Sequence, residues 1–344
     1  MARHSDYKTM KIISLGIAAT MLAGLVLTGC QTGTDTAAPS SGSAPSAKTQ
    51  ASKRYKIGVS IPAADHGWTA GVRWWAEKAA KDHPDVDFVV KDAKEPGEQI
   101  SDLENFKTQG VDALVVLATE SAPLTPIAEK LHNDGLLIVN VDRGFTKPVA
   151  DVFIEGDNEA FGRKSAEFMV QKLGSTGKIA VLEGIPSTVN SDRVNAAKKV
   201  FAAAPGIQIV AQDSGMWNRE KAEKVVQNML VQHPDIQAIW ASDDDMALGA
   251  ENALRAAGKD KNVWMLGGAG MKDIVKRVMD KDPLYPADIT YPPSMIAFGM
   301  STAAGILQAG KDEAIKYTPK HLKLDVELIT PDNAKAFYFP DSSY

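Results

Sequence analysis

The chain has 344 residues, with 38 Lys and Arg against 43 Asp and Glu, a formal charge of −5 and one cysteine. That balance excludes a broad basic face for nucleic acid, and a lone thiol excludes a disulfide framework or a multi-thiolate metal site. With 44% hydrophobic and 24% charged residues the composition is globular, and at roughly 150 residues per domain the length predicts about two domains.

Residues 1–29 read as an export signal. Arg3, Lys8 and Lys11 give a positive start, and Ile12 to Leu27 is apolar and uncharged, short of the roughly 20 residues that a membrane span needs. The stretch ends in Leu27-Thr28-Gly29-Cys30. A Leu, two small residues and a Cys resemble the bacterial lipobox, whose small side chains admit the peptide to a signal peptidase and whose thiol carries a diacylglycerol thioether. Cys30 is thus the expected lipidation site, the root of a palmitate-type membrane anchor. From Gln31 to Lys53, 18 of 23 residues are Ser, Thr, Ala, Gly or Pro, and none is aromatic or a large aliphatic. Such a segment cannot bury enough surface to offset its ordering entropy, so residues 30–53 are expected to be a flexible tether. A lipid on a tether puts the folded part in the cell envelope, outside the cytoplasmic membrane.

From Arg54 the pattern alternates. Short apolar runs predict strands at Lys56–Ile61, Asp87–Lys91, Asp112–Ala118, Leu136–Val141, Lys178–Glu183, Ile207–Gln212, Ala238–Ser242 and Val263–Leu266. Helical spacing predicts helices at Trp68–Asp82, Glu98–Gln109, Leu124–Asn133, Asn158–Leu173, Ser191–Ala204, Arg219–Gln232, Ala247–Ala257 and Met295–Gln308. Gly110, Gly135, Gly174 and Gly258 follow helices, as left-handed caps do. Strands that are apolar throughout and separated by helices read as buried parallel strands with right-handed crossovers. One sheet of all these strands would be unusually large. The expected fold class is therefore α/β, with two doubly wound parallel-sheet lobes.

Ligands of such sheets bind beyond the carboxyl ends of the strands. Those ends carry Asp65-His66-Gly67-Trp68, Glu120, Asp142-Arg143, Ser187 to Arg193 with Asn190, Met216-Trp217, Asp243-Asp244-Asp245, Gly267 to Gly270 and Tyr291. This set holds aromatics, carboxylates, amides and guanidinium groups, and no evident nucleophile. It suits a polyhydroxylated ligand. Indole faces stack on the C–H patches of a sugar ring. Hydroxyls donate to carboxylates, and the Arg fork offers paired donors to neighbouring hydroxyls.

Asp142-Arg143 after a strand, Asp192-Arg193 opening a helix, Asp243-Asp244-Asp245-Met246-Ala247-Leu248-Gly249-Ala250, and Gln99 and Leu103 leading to Gln109-Gly110-Val111-Asp112-Ala113-Leu114 resemble the periplasmic sugar-binding proteins of ABC importers, of the ribose- and galactofuranose-binding type. The resemblance covers nearly all of Tyr55 to Thr330 and rests on the motifs together and in order. It implies the type I periplasmic binding protein fold: two lobes joined by a three-segment hinge, with the sugar between them. It places the first lobe at residues 55–157 plus 291–316 and the second at 158–290 plus 317–344, the latter including a late strand near Leu322–Leu328. Carried over position by position, Trp68 and Trp217 match the aromatics that stack on the sugar. Asp142 and Arg143 match the hydroxyl-binding pair, and Asp243 matches an Asn that binds the sugar. Arg193 lies at or near a binding Arg, with Ser191 as its rival, and Tyr291 stands where ribose-type proteins have Gln. One departure stands out: the family often has Gly-Phe-Asp-Gly where this chain has Gly267-Gly268-Ala269-Gly270. Its carboxylate is missing at Ala269. The two differences together point away from plain ribose or galactose, toward a deoxysugar, polyol or modified sugar.

Asp65, His66, Glu120 and Asn190 are further ligand candidates, weighed against plain loop and turn roles. Trp74 and Trp75 read chiefly as packing residues. Three consecutive Asp cannot converge on one ion, so Asp244 or Asp245 is expected to cap the following helix, and neither a metal nor a cofactor is expected. The implied function is capture of a sugar or polyol for an ABC permease, by a monomer anchored at Cys30. The alternatives are a sensory subunit serving a chemoreceptor or histidine kinase, and a transcription regulator with the same core. The regulator would need a helix-turn-helix where the lipid signal stands. An enzyme would need a nucleophile–base pair or a metal cluster, and neither is seen.

Overall fold

A computed structural model of the protein describes residues 53–342 and 344. The export signal, Cys30 and all of the tether except Lys53 lie outside the described residues. The first elements are β1 (Lys56–Pro62), α1 (Gly67–Asp82), β2 (Asp87–Ala93), α2 (Pro96–Thr108), β3 (Ala113–Val116), α3 (Ser121–Asn133), β4 (Leu137–Val141) and β5 (Val152–Gly156). Then follow α4 (Asn158–Lys172), β6 (Gly177–Glu183), α5 (Thr188–Ala203), β7 (Ile207–Ser214), α6 (Arg219–Gln232), β8 (Ala238–Ala241), α7 (Asp244–Ala256), β9 (Trp264–Leu266), α8 (Lys272–Met279) and β10 (Asp288–Ile289). The last are α9 (Met295–Gln308), α10 (Lys311–Tyr317), β11 (His321–Leu324) and β12 (Leu328–Ile329).

Two parallel sheets result, in the orders β11-β5-β4-β3-β1-β2 and β7-β6-β8-β9. β10 and β12 form a small antiparallel ribbon. This is the type I periplasmic binding protein architecture. The chain passes between the two sheets three times: after β5, after β10 and after β11.

The strands explain the layers. β3 is Ala-Leu-Val-Val, buried at every position. Its alternate residues feed two cores: Ala113 and Val115 pack with Val72 of α1 and Met300 of α9. Leu114 and Val116 pack with Phe106 of α2 and Leu124 of α3. A strand apolar on both faces has to be covered on both, and each fully buried Val or Leu contributes about 1.5–3 kcal/mol. Gly110, Gly135, Gly174 and Gly258 all stand at positive φ, between 64° and 90°, after their helices, as the sequence predicts.

Three differences from expectation have physical reasons. The late strand pairs in the first sheet, not in the second lobe: His321–Leu324 lies parallel to β5. His321 stacks on Phe153 at 5.0 Å and bonds Glu155 at 2.8 Å, so the open edge of β5 holds it. β5 itself is not anticipated, because it follows β4 in parallel with no helix between them. Instead, Phe145 and Val149 of the connecting loop bury themselves against the α2–α3 face. Finally, α7 begins at Asp244, and the residue that caps it is Asp243, whose carboxylate accepts from the Met246 N–H at 3.0 Å.

Candidate functional site

The carboxyl ends of both sheets face one cleft. Strand order in the second lobe sets out Trp217 after β7, Val189 after β6, Asp243 after β8 and Ala269 after β9. Opposite them stand His66 and Trp68 after β1, and Asp142 and Arg143 after β4. These residues, with Arg193 and Tyr291, line a narrow inner cavity. An outer cavity of about 770 Å³ shares His66, Arg143 and Trp217 with it and opens past Asp65, Glu120 and Met216.

The inner polar groups are held before any ligand arrives. Asp142 sits at φ 64°, a left-handed turn that Asp tolerates better than most residues. Its carboxylate accepts from the Tyr291 hydroxyl at 2.6 Å and lies 3.7 Å from Arg143 Nε. Arg143 Nη1 donates to the carbonyls of Ala118 and Thr119 at 3.2 and 2.9 Å, and the guanidinium lies 5.0 Å over the Trp217 ring. Arg143 Nε, with Asp142 beyond hydrogen-bond range, and Trp217 Nε1 are buried without a hydrogen bond. Buried donors without partners are uncommon in a finished core.

Arg193 Nε donates to Asn158 at 2.9 Å and its Nη1 to the Ser242 carbonyl at 2.8 Å. Its guanidinium is packed at 4.0 Å from the Phe161 ring and 4.2 Å from the Tyr291 ring. Asn158 also donates to the Tyr291 hydroxyl at 3.2 Å, and Trp68 Nε1 donates to the Tyr291 carbonyl at 2.9 Å. Close backbone approach makes this packing possible. A Cβ at Gly156 would collide with the Tyr291 ring, one at Gly162 with the Arg193 carbonyl, and one at Gly184 with the Trp217 indole.

Burial sets the electrostatics. It raises the Asp142 carboxyl above the usual range, against the pull of Arg143 and the Tyr291 hydrogen bond, and it lowers Arg143 against the pull of Asp142. Burial pushes Asp243 up to about 6, opposed chiefly by His66. The Tyr291 hydroxyl is raised by burial and by Asp142.

Trp68, Asp142, Arg143, Arg193, Trp217, Asp243, Tyr291 and His66 are thus brought together. Other expected contacts stand elsewhere. Asn190 is buried, but its side-chain oxygen accepts from Gly184 N–H at 2.7 Å and its amide donates to Glu183 at 3.1 Å, so it braces the loop after β6. Asp65 and Glu120 line only the outer cavity, and Asp65 bonds His66 at 2.7 Å, which lowers its carboxyl. Ser191, the rival to Arg193, is exposed, whereas Arg193 is buried. Trp75 is partly buried against the core, edge-on to the more exposed Trp74. The rest of the acidic triplet is structural. Asp244 accepts from Gly268 and Met271 N–H groups, each at 2.8 Å, and Asp245 from Gly67 N–H at 2.7 Å and Arg219 at 3.0 Å. Among the described residues no group of three or more His, Cys, Asp and Glu side chains could hold a metal.

Sequence reasoning misses Asn158, Val189 and Asp245. Asn158 opens a helix right after a crossover, the one signal that could have singled it out. Val189 has none, being an apolar residue in a helix first turn.

Two sheets that close on an aromatic and charged cleft define a binding protein of the two-lobed type. The model of the periplasmic binding protein domain matches residues 57–312. The chain belongs to this family, and membership places its folded part outside the cytoplasm. It is 33% identical over 270 residues to the D-ribose/D-allose-binding protein of Pseudomonas aeruginosa, covering 74% of this chain and 82% of that one. It is 30% identical over 275 residues to the ribose import binding protein of Bacillus subtilis, covering 80% of this chain and 88% of that one. The fructose-binding periplasmic domain of a hybrid two-component system superposes with a TM-score of 0.76 at 26% identity, covering 83% of this chain and 93% of that one. The resemblance carried by the strand-end motifs is met, and these relatives are binding proteins, not enzymes.

Proposed function

We propose that the protein captures a sugar or sugar-like polyol between its lobes and delivers it to an ABC permease, as a monomer anchored outside the membrane through Cys30. The observation that carries this reading is the inner cavity, where Trp68 and Trp217 flank Asp142, Arg143, Arg193 and Asp243. Two indole faces and preset donors and acceptors match a ring with C–H faces and edge hydroxyls. The relatives named for ribose, allose and fructose support the same class. The lobes would follow the chain's three crossings, with residues 158–290 in the second and the late strand His321–Leu324 moved to the first.

A ligand shifts an open–closed equilibrium only through contacts that the closed state adds. Trp68 and Trp217 stand on different lobes, so both reach one ligand only on closure. Thermal-shift screening against pentoses, hexoses, deoxysugars and polyols tests the reading, since a bound ligand raises stability by mass action. The expected result is a rise of several degrees with one group of related sugars, and no response across the panel would defeat it. Metabolic labelling with a palmitate analogue tests the anchor: the label should vanish in Cys30→Ser.

The hybrid two-component neighbour favours one alternative, a sensory subunit using the same cleft. Uptake of labelled sugar in cells lacking the protein separates the two. Uptake should fall in the importer reading and persist in the sensory one.

A further inference from the structure

We propose that the Ala269–Tyr291 corner of the inner cavity selects a deoxysugar: a ring that presents a C–H or methyl group where its hydroxylated counterpart presents a hydroxyl. This rests on the sugar-binding reading and deepens it.

The donors of the corner are all committed within the protein. Ala269 lines the cavity, and its side chain is only a methyl group. Its N–H donates to the Ile289 carbonyl at 2.7 Å, and its own carbonyl accepts from Tyr291 N–H at 3.2 Å. The neighbouring Gly268 N–H is held by Asp244 at 2.8 Å. The Tyr291 hydroxyl donates to Asp142 and accepts from Asn158, so it too is engaged. A hydroxyl placed there would lose its water partners and find no free donor in their place. Elsewhere the cavity offers a polar side chain along most of its wall, so this dry corner is a local property.

Ala269 stands at φ 121°, a region that L side chains rarely adopt and that stores strain. Glycine is at home there, and it occupies positions 267, 268 and 270 around it. The chain nevertheless keeps a methyl group at 269, against the cavity. Strain retained at a lining position is expected where the side chain serves the site.

The test is calorimetry on the full-length protein with sugar pairs that differ in one hydroxyl: 6-deoxyhexoses against their parent hexoses, and deoxyriboses against ribose. At least one deoxysugar should bind about 10- to 100-fold more tightly than its parent, the range for an unpaired buried hydroxyl. Ala269→Ser and Ala269→Asn each supply a polar group, and each should narrow that ratio at least fivefold while the folded state persists by circular dichroism. Parents that bind as tightly as every deoxy counterpart overturn the inference and leave the sugar reading standing. A ratio unchanged in both variants overturns the assignment to Ala269. Silence of both members of every pair, together with an empty thermal-shift panel, overturns the sugar reading and this inference with it.

Discussion

The inner and outer cavities meet at His66, Arg143 and Trp217 but are built on different terms. Inside, Arg193 is fixed by Asn158, the Ser242 carbonyl and two aromatic rings, and Asp142 is fixed by Tyr291. Outside, the side chain of Glu120 projects from an exposed residue. Ordering a free charged side chain on binding costs about 0.5–1.5 kcal/mol, whereas a side chain already held in place costs little further. The contrast predicts that affinity resides in the inner wall, and that charge at the mouth adds little after solvent screening.

The sharpest way to break this contrast is Arg143→Ala. It should weaken ligand binding at least 100-fold by calorimetry, the loss expected when a buried charged donor disappears. It also leaves the carbonyls of Ala118 and Thr119 without their partner, so the melting temperature should fall by a few degrees while the fold persists. Trp217→Ala should cost about 10- to 100-fold in affinity, with the loss in the off-rate, because it removes a stacking face and the plane beneath Arg143.

Asp243 gives a pH signature with two opposite slopes. Its folded carboxyl is raised to about 6 by burial, above the ordinary 3.8. The folded state therefore binds more protons than the unfolded chain between those values, so this group's contribution to stability declines as pH rises from about 4 to about 6. A ligand hydroxyl donates to the ionised form, so affinity should rise through the same window and level off above it. A roughly 10-fold gain from pH 5 to pH 7.5 is expected, and Asp243→Asn should flatten it. Equal pH slopes in protein and variant would remove Asp243 from the ligand's contacts.

Two smaller effects are expected away from the inner wall. Asp245 reaches from the second lobe to the Gly67 N–H at the start of α1, and Thr188 reaches the Gly144 N–H at 3.1 Å. These bonds join the lobes without passing through the cavity. Asp245→Ala should reduce apparent affinity about 3- to 10-fold by lowering the closed population, with scattering showing a more open ligand-free form. Glu120→Ala should change affinity less than twofold. A larger loss would show that the outer cavity takes part in binding.

Much of the fold is legible in the sequence because runs such as Ala113–Val116 and Leu137–Val139 are apolar on both faces and the helices between them keep their period. What escapes is pairing that breaks the alternation. β5 follows β4 without a helix, and β11 is half-exposed and is fixed by an edge far away in the chain. The site divides the same way. Trp68, Asp142, Arg143 and Trp217 stand just past strand ends, where the architecture itself directs attention. Asn158 acts through Tyr291, 133 residues away, and Asp245 through Gly67, 178 residues away. Local patterns carry no record of such partners. Asn190 misleads for the converse reason, since its side chain turns back on its own loop.

The glycines at 156, 162 and 184 extend the site beyond its lining. Each lies against a different cavity residue, Tyr291, Arg193 or Trp217, and each stands on a different segment of the chain. An added methyl group there would touch no ligand, yet it would meet the Tyr291 ring, the Arg193 backbone or the Trp217 indole at about 2 Å, so the cavity residue would have to move. Mutational tolerance should therefore map as two nested shells. The outer shell would consist of backbone positions where alanine impairs binding by displacing the cavity residue in front of it, at a cost in stability that overpacking brings.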